Sequence, residues 1–171
     1  QPPPETHLME PLHNYFIGER QAGLCAALLG LSSLAFAFWL LRSVSPFRSM
    51  LIPLSVGGLL QLGVGVGLYL KTPAQVQALE QGLSQPGERA ATQAKETQRM
   101  QRVQANFVVL KIAWVVLIAV GLGLVLLARG RPAAVGVGLG ILLQAVVMLA
   151  FDLFAEARGA AYLRWLSGGS P

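Results

Sequence analysis

Four long apolar runs, separated by short charged or polar stretches, dominate the pattern of this chain. The first is Gln21 to Leu41, bounded by Arg20 and Arg42, and the second is Ser49 to Leu70, bounded by Arg48 and Lys71. Neither contains a charge. The third is uncharged from Ile112 to Ala128 and begins near Val103, which places Lys111 inside it; the fourth runs from Pro132 to Phe151. A helix crosses the hydrocarbon core of a bilayer, about 30 Å thick, with about 20 predominantly apolar residues, because each residue rises about 1.5 Å. The pattern therefore predicts four transmembrane helices.

Their connections are unequal. Arg42 to Arg48, with Pro46, and Arg129 to Arg131, centred on Gly130, are so short that the helices they join must be antiparallel neighbours. The stretch 71–102 is polar and glutamine-rich. Thr72-Pro73 predicts an N-cap and the first turn of a new helix, Val76, Leu79 and Leu83 recur at helical spacing, and Ser84-Gln85-Pro86-Gly87 is a break. From Glu88 one long helix should run straight into span three. Span four should continue through Asp152, Glu156 and Arg158 as an amphipathic end. The expected fold is an all-α membrane protein, four transmembrane helices in an antiparallel up-down-up-down bundle with a helical extramembrane loop between spans two and three. The segments are 1–20 (N-terminal, extramembrane), 21–70 (first hairpin), 71–102 (polar loop), 103–158 (second hairpin) and 159–171 (tail). Tyr15, Phe16, Trp39, Tyr69, Tyr162 and Trp165 fall near the membrane interfaces, where aromatic rings keep one edge in water.

Composition agrees and removes several functions. Of 171 residues, 54% are hydrophobic and 12% charged, with a mean hydropathy of +0.56, a balance too apolar for an ordinary soluble domain. Cys25 is the single cysteine, which excludes an internal disulfide, a CxxC redox centre and hence a membrane thiol oxidase. His7 and His13 both precede the first apolar run, so they cannot ligate a haem between helices, and with Glu19 they match no compact metal motif. No metal and no cofactor is expected. The net charge of +5 comes without a basic stripe interleaved with aromatics, so the expected partners are the lipid bilayer and a membrane protein or further copies of this chain, and not nucleic acid.

The basic residues bear on orientation. The short loops carry four of the 13 Lys and Arg, namely Arg42, Arg48, Arg129 and Arg131, and none of the eight acids. The raw count of basic residues puts the termini inside, whereas the density of arginine in the short loops puts those loops inside. The chain starts Gln1-Pro2-Pro3-Pro4, as expected after removal of a signal peptide, although Met9 is an alternative start. The expectation is a bacterial inner-membrane protein with termini and long loop periplasmic.

Polar groups inside the spans are the candidate site residues. Gln61 and Gln144 lie at equal depth and could hydrogen-bond as a clamp between helices or contact a substrate. Superposing them also aligns Gly57 with Gly140 and Arg48 with Arg131, the trace of a duplicated hairpin. Lys111 and Asp152 are plausible ion-pair partners, and with Glu19, Arg20 and Glu156 they could line a polar vestibule at the long-loop face or simply form interfacial pairs. Gly63 with Gly67, and Gly136 with Gly140, have the spacing that lets helix backbones approach, within the bundle or against a partner.

Within Glu96 to Lys111, Arg102 and Asn106 resemble the Arg-x-x-x-Asn feature of the four-span glutathione-dependent membrane enzymes of eicosanoid metabolism. In that family the feature sits nearer the second span among further polar residues that this chain lacks, so the activity is not carried over. The small four-span multidrug exporters depend on a carboxylate in their first span, and this first span has none after Arg20. The expected function is a non-catalytic accessory subunit or interaction partner of a larger membrane complex, or a membrane immunity factor. The alternatives are a small transporter or lipid-binding protein using Lys111, Asp152 and the glutamines, and a glutathione-dependent enzyme using Arg102.

Overall fold

The computed structural model describes residues 4–168, with side chains from Met9 onward. The candidate ligand His7 and the terminal Pro2-Pro3 and Gly169-Ser170-Pro171 lie outside that description. Four helices account for almost all of it: α1 (Pro4–Arg42), α2 (Leu51–Ser84, preceded by a single 3-10 turn at Arg48–Met50), α3 (Arg89–Leu127) and α4 (Pro132–Leu166). All four are long and apolar enough to cross a membrane. At 34 to 39 residues each they exceed the span of a hydrocarbon core by more than a third, so each has an apolar portion and an overhang.

Two expected boundaries are absent. Thr72-Pro73 does not cap a new helix: α2 runs through it, with Pro73 inside. Proline removes the hydrogen bond to the carbonyl of Tyr69, and a helix interior pays about 3 kcal/mol for it. Thr72, buried, turns its hydroxyl back to the Leu68 carbonyl at 2.7 Å, and beyond the proline Leu83 is buried in a shared core against which the partly buried Val76 and Leu79 pack. Full burial of an aliphatic side chain contributes about 1.5–3 kcal/mol, so one buried leucine with two partly buried neighbours offsets the break. Likewise α1 passes through Pro11 rather than starting near Gln21, because Leu12, Tyr15 and Phe16 pack into the same core. The polar segments 4–20 and 71–102 are thus largely extensions of the long helices.

The turns follow their residues. Gln85, ahead of Pro86, is extended (φ −90°, ψ 116°), and its carbonyl receives the amides of Glu88 and Arg89. Gly130 takes φ +88°, open to glycine, and Pro132 starts α4.

Glycine governs packing in the apolar portion. In α1 and α2, Gly23 lies against Gly65 and Gly30 against Gly58, so residue numbers rise along one helix as they fall along the other. A Cβ on Gly30 would sit 2.6 Å from the Gly58 carbonyl oxygen. Gly121 and Gly138 make the equivalent contact between α3 and α4. The two pairs meet chiefly through α4, where Gly136 rests on Phe47 and Ser49 and Gly140 on Met50 and Pro53, and the Ser49 hydroxyl donates to the Ala133 carbonyl at 2.5 Å. Gly63 and Gly67 face open space, with nothing within 4 Å of an added Cβ.

The largest hydrophobic core lies elsewhere, in the overhang at the termini, which we call the head. Leu12, Tyr15 and Phe16 of α1, Leu83 of α2, Met100 of α3, and Tyr162 and Leu166 of α4 bury together, with Leu12 and Met100 wholly inaccessible. Tyr15 stacks on Tyr162 with ring centroids 4.5 Å apart. Gln93 of α3 donates to the Leu166 carbonyl at 2.5 Å, satisfying one of the open acceptors at the end of α4. All four helices contribute.

Candidate functional site

Polar side chains gather in three places. In the middle of the apolar portion, Gln61 Nε2 donates to Gln144 Oε1 at 2.8 Å, and Gln144 Nε2 donates to Ser33 Oγ at 3.1 Å. The chain ties α2 to α4 to α1. Gly57 makes room for it, since a Cβ there would fall 2.5 Å from Gln144 Cδ. Both glutamines are buried, and an amide in an apolar setting is held by such partners, although Gln61 Oε1 is left without one. Ser33 was not among the sequence candidates; a serine in mid-span at a depth comparable to the glutamines was the available signal.

The second group joins α3 to α4 near the head. Lys111 Nζ meets Glu156 Oε1 at 2.7 Å, and the Trp114 indole N–H donates to Asp152 Oδ2 at 2.6 Å. The expected Lys111–Asp152 pair is therefore not formed. Lys111 and Trp114 stand about one turn apart on α3, as do Asp152 and Glu156 on α4, and the register of the two helices sets the lysine opposite the glutamate and the indole opposite the aspartate. Gln104 adds a hydrogen bond to the Glu156 carbonyl at 3.2 Å.

The third group lies in the head. Glu96, only 5% exposed, receives two hydrogen bonds from Arg99, at 2.8 and 2.7 Å, one turn along the same helix. The bidentate geometry is the strong form of this pair. Burial works against the Arg99 charge, but the hydrogen bonds and field of Glu96 outweigh it and hold the guanidinium above its usual range. Burial, reinforced by nearby carboxylates, pushes the hydroxyls of Tyr15 and Tyr162 well above the usual tyrosine range, so both stay protonated. Tyr15 donates to Glu19 at 2.8 Å, while the buried Tyr162 hydroxyl has no hydrogen-bond partner. Glu96 escaped the sequence reading because an acid in a solvated helix looks ordinary; the i,i+3 spacing to Arg99 was its signal.

Glu19, Arg20, Lys111, Asp152 and Glu156 thus do not line one vestibule. Glu19 belongs to the head cluster, and Arg20 instead reaches α2, donating to the Tyr69 hydroxyl at 2.9 Å with its guanidinium 4.5 Å above the ring centre. His13 lies 2.8 Å from Glu80. Among the described residues no three His, Cys, Asp or Glu side chains come together in the way a metal ion needs. Arg102 and Asn106 line a cavity of about 580 Å³ between α2 and α3.

No protein-family model, curated protein or solved structure matches this chain.

Proposed function

We propose that this chain is a four-span membrane protein, inserted as an up-down-up-down bundle, that acts as a non-catalytic accessory subunit or interaction partner of a larger complex of the bacterial inner membrane. The observation that carries this reading is the use made of the interior polar groups: Gln61, Gln144 and Ser33, Trp114 with Asp152, and Lys111 with Glu156 each close on another helix of the same chain. They hold the bundle together. Along the membrane-length portion of the helices the remaining surface is apolar, and on α2 it carries the outward notch of Gly63 and Gly67, the spacing with which lipid-embedded helices approach one another. The arginines flanking the short loops favour those loops on the cytoplasmic side, with the head periplasmic.

Native mass measurement on protein extracted from its own membranes in mild detergent tests this. The expected result is a stoichiometric protein companion or a defined homo-oligomer, lost on Gly63→Leu or Gly67→Leu while the monomer stays folded. A wild-type chain recovered alone, or an assembly indifferent to both substitutions and to disruption of the head surface, overturns it.

A further inference from the structure

Two cavities lie along the groove between α1 and α4. The upper one, about 490 Å³, is in the head, beside Asn14, Tyr15, Arg164 and Trp165. The lower one, about 460 Å³, is walled by Ala22, Cys25, Val147, Phe151 and Phe154 of the apolar portion. Pro11, Asn14, Gly18, Gln21 and Cys25 follow one another at three- and four-residue steps, so a single stripe of α1 floors both. Arg158 is the one residue that lines both.

Arg158 is placed there by Gly18. Its side chain lies across the glycine so closely that a Cβ at position 18 would fall 2.8 Å from Arg158 Cδ and 3.0 Å from Nε. The Nε is buried and has no hydrogen-bond partner. No ion pair of Arg158 occurs among the described residues, in contrast to Arg99 and Lys111. Guanidinium is a donor only, and a buried donor left without an acceptor is costly. Among the described residues no acidic side chain lines either cavity, and the upper one is flanked by a second arginine, Arg164. Arg158 as a whole is only partly buried and opens onto both cavities, so an anion entering the groove meets its guanidinium, and the apolar lower cavity continues from there toward the middle of the spans.

We infer that the α1/α4 groove binds an anionic phospholipid, its phosphodiester held on Arg158 between the two cavities and one acyl chain laid in the lower cavity. A guanidinium matches phosphate oxygens with two parallel charge-assisted hydrogen bonds. The headgroup then occupies the upper cavity beside Trp165, an aromatic suited to interfacial depth. A zwitterionic headgroup would bring an ammonium toward Arg164 with no carboxylate to receive it, so a net negative headgroup fits better. The inference depends on membrane insertion and is independent of any accessory role.

Delipidated full-length protein in mild detergent, incubated with equal amounts of dioleoyl phosphatidylglycerol and dioleoyl phosphatidylcholine, tests the site, with retained lipid counted by native mass spectrometry. The wild type should retain the anionic lipid by about tenfold or more over the zwitterionic one. Arg158→Gln should bring the ratio close to one. Ala22→Phe, which fills the lower cavity and leaves the cation in place, should abolish retention. Arg102→Gln, on a different groove, should change nothing. Equal retention of both lipids by the wild type overturns the inference without any variant being needed. So does an unchanged preference in Arg158→Gln or Ala22→Phe at wild-type helicity, or a loss in Arg102→Gln as large as in Arg158→Gln, which would mark a diffuse charge effect.

Discussion

Gln61 and Gln144 meet amide to amide at 2.8 Å, with Gly57 beneath them providing the space that Gln144 occupies. Removing the Gln61 amide leaves Gln144 with Ser33 as its remaining partner, removing the Gln144 amide leaves Gln61 and Ser33 each without it, and removing both leaves an apolar contact beside Ser33. Gln61→Leu and Gln144→Leu should each destabilise the bundle, and the double variant should lose less than the sum of the two. The coupling expected for a hydrogen bond between apolar helices is about 0.6–2 kcal/mol. Unfolding the four proteins from mild detergent with sodium dodecyl sulfate measures it; strict additivity would deny the contact.

The close backbone pairs give a contrast among glycines. A Cβ on Gly30 meets only backbone, the Gly58 carbonyl and the Leu62 amide, both at 2.6 Å, so neither can swing aside. Gly30→Ala should cost about 1–3 kcal/mol, the usual toll of overpacking. Gly123→Ala meets nothing within 4 Å and should stabilise its helix by about 0.5–1 kcal/mol. Thermal unfolding in one detergent should separate the two in sign.

Stability should be concentrated in the head. Leu12 and Met100 are wholly buried, while Leu59 is 61% exposed and Val109 66%. Leu12→Ala or Met100→Ala should cost about 2–5 kcal/mol. Leu59→Ala and Val109→Ala should stay within about 0.5 kcal/mol in detergent. Comparable losses at all four positions would contradict a head-centred core.

Within that core, Arg99→Met strips the two hydrogen bonds from buried Glu96. The expected loss is about 1.5–3 kcal/mol, the range for hydrogen bonds to a charged group, held below that of a fully buried pair because the Arg99 side chain is 35% exposed. Replacing both residues, as Glu96→Met with Arg99→Met, should recover part of it.

The two buried phenols add a dependence on pH. Their folded-state values lie above the ordinary 10.0, so above about pH 10 the unfolded chain releases protons that the folded chain keeps. Stability from this source is complete below that pH and falls as pH rises beyond it. Tyr162→Phe removes a hydroxyl that has no hydrogen-bond partner, so it should be nearly neutral at pH 7 and should flatten the alkaline decline. Melting temperatures of both proteins between pH 7 and 12 check both halves of this expectation.

Hydrophobic runs made the four helices legible, and the short arginine-flanked connections made their pairing legible. Gln61 against Gln144 could be read from depth alone. The continuity of α1 through Pro11 and of α2 through Pro73 could not, because a local breaking residue was overruled by core contacts that exist only once all four helix ends are together. Lys111 with Glu156 rather than Asp152 turned on the register between α3 and α4, which no single helix encodes. The role of Arg158 was hidden for a similar reason: the glycine that receives it is 140 positions away in the chain.

The head also makes the order of assembly a physical property. Its core joins Leu12 of α1 to Tyr162 and Leu166 of α4, which lie 150 and 154 positions further along the chain. Until α4 is in place, Leu12, Phe16, Leu83 and Met100 lack the rings and the leucine that cover them, so this core closes last, when the final turns of α4 dock.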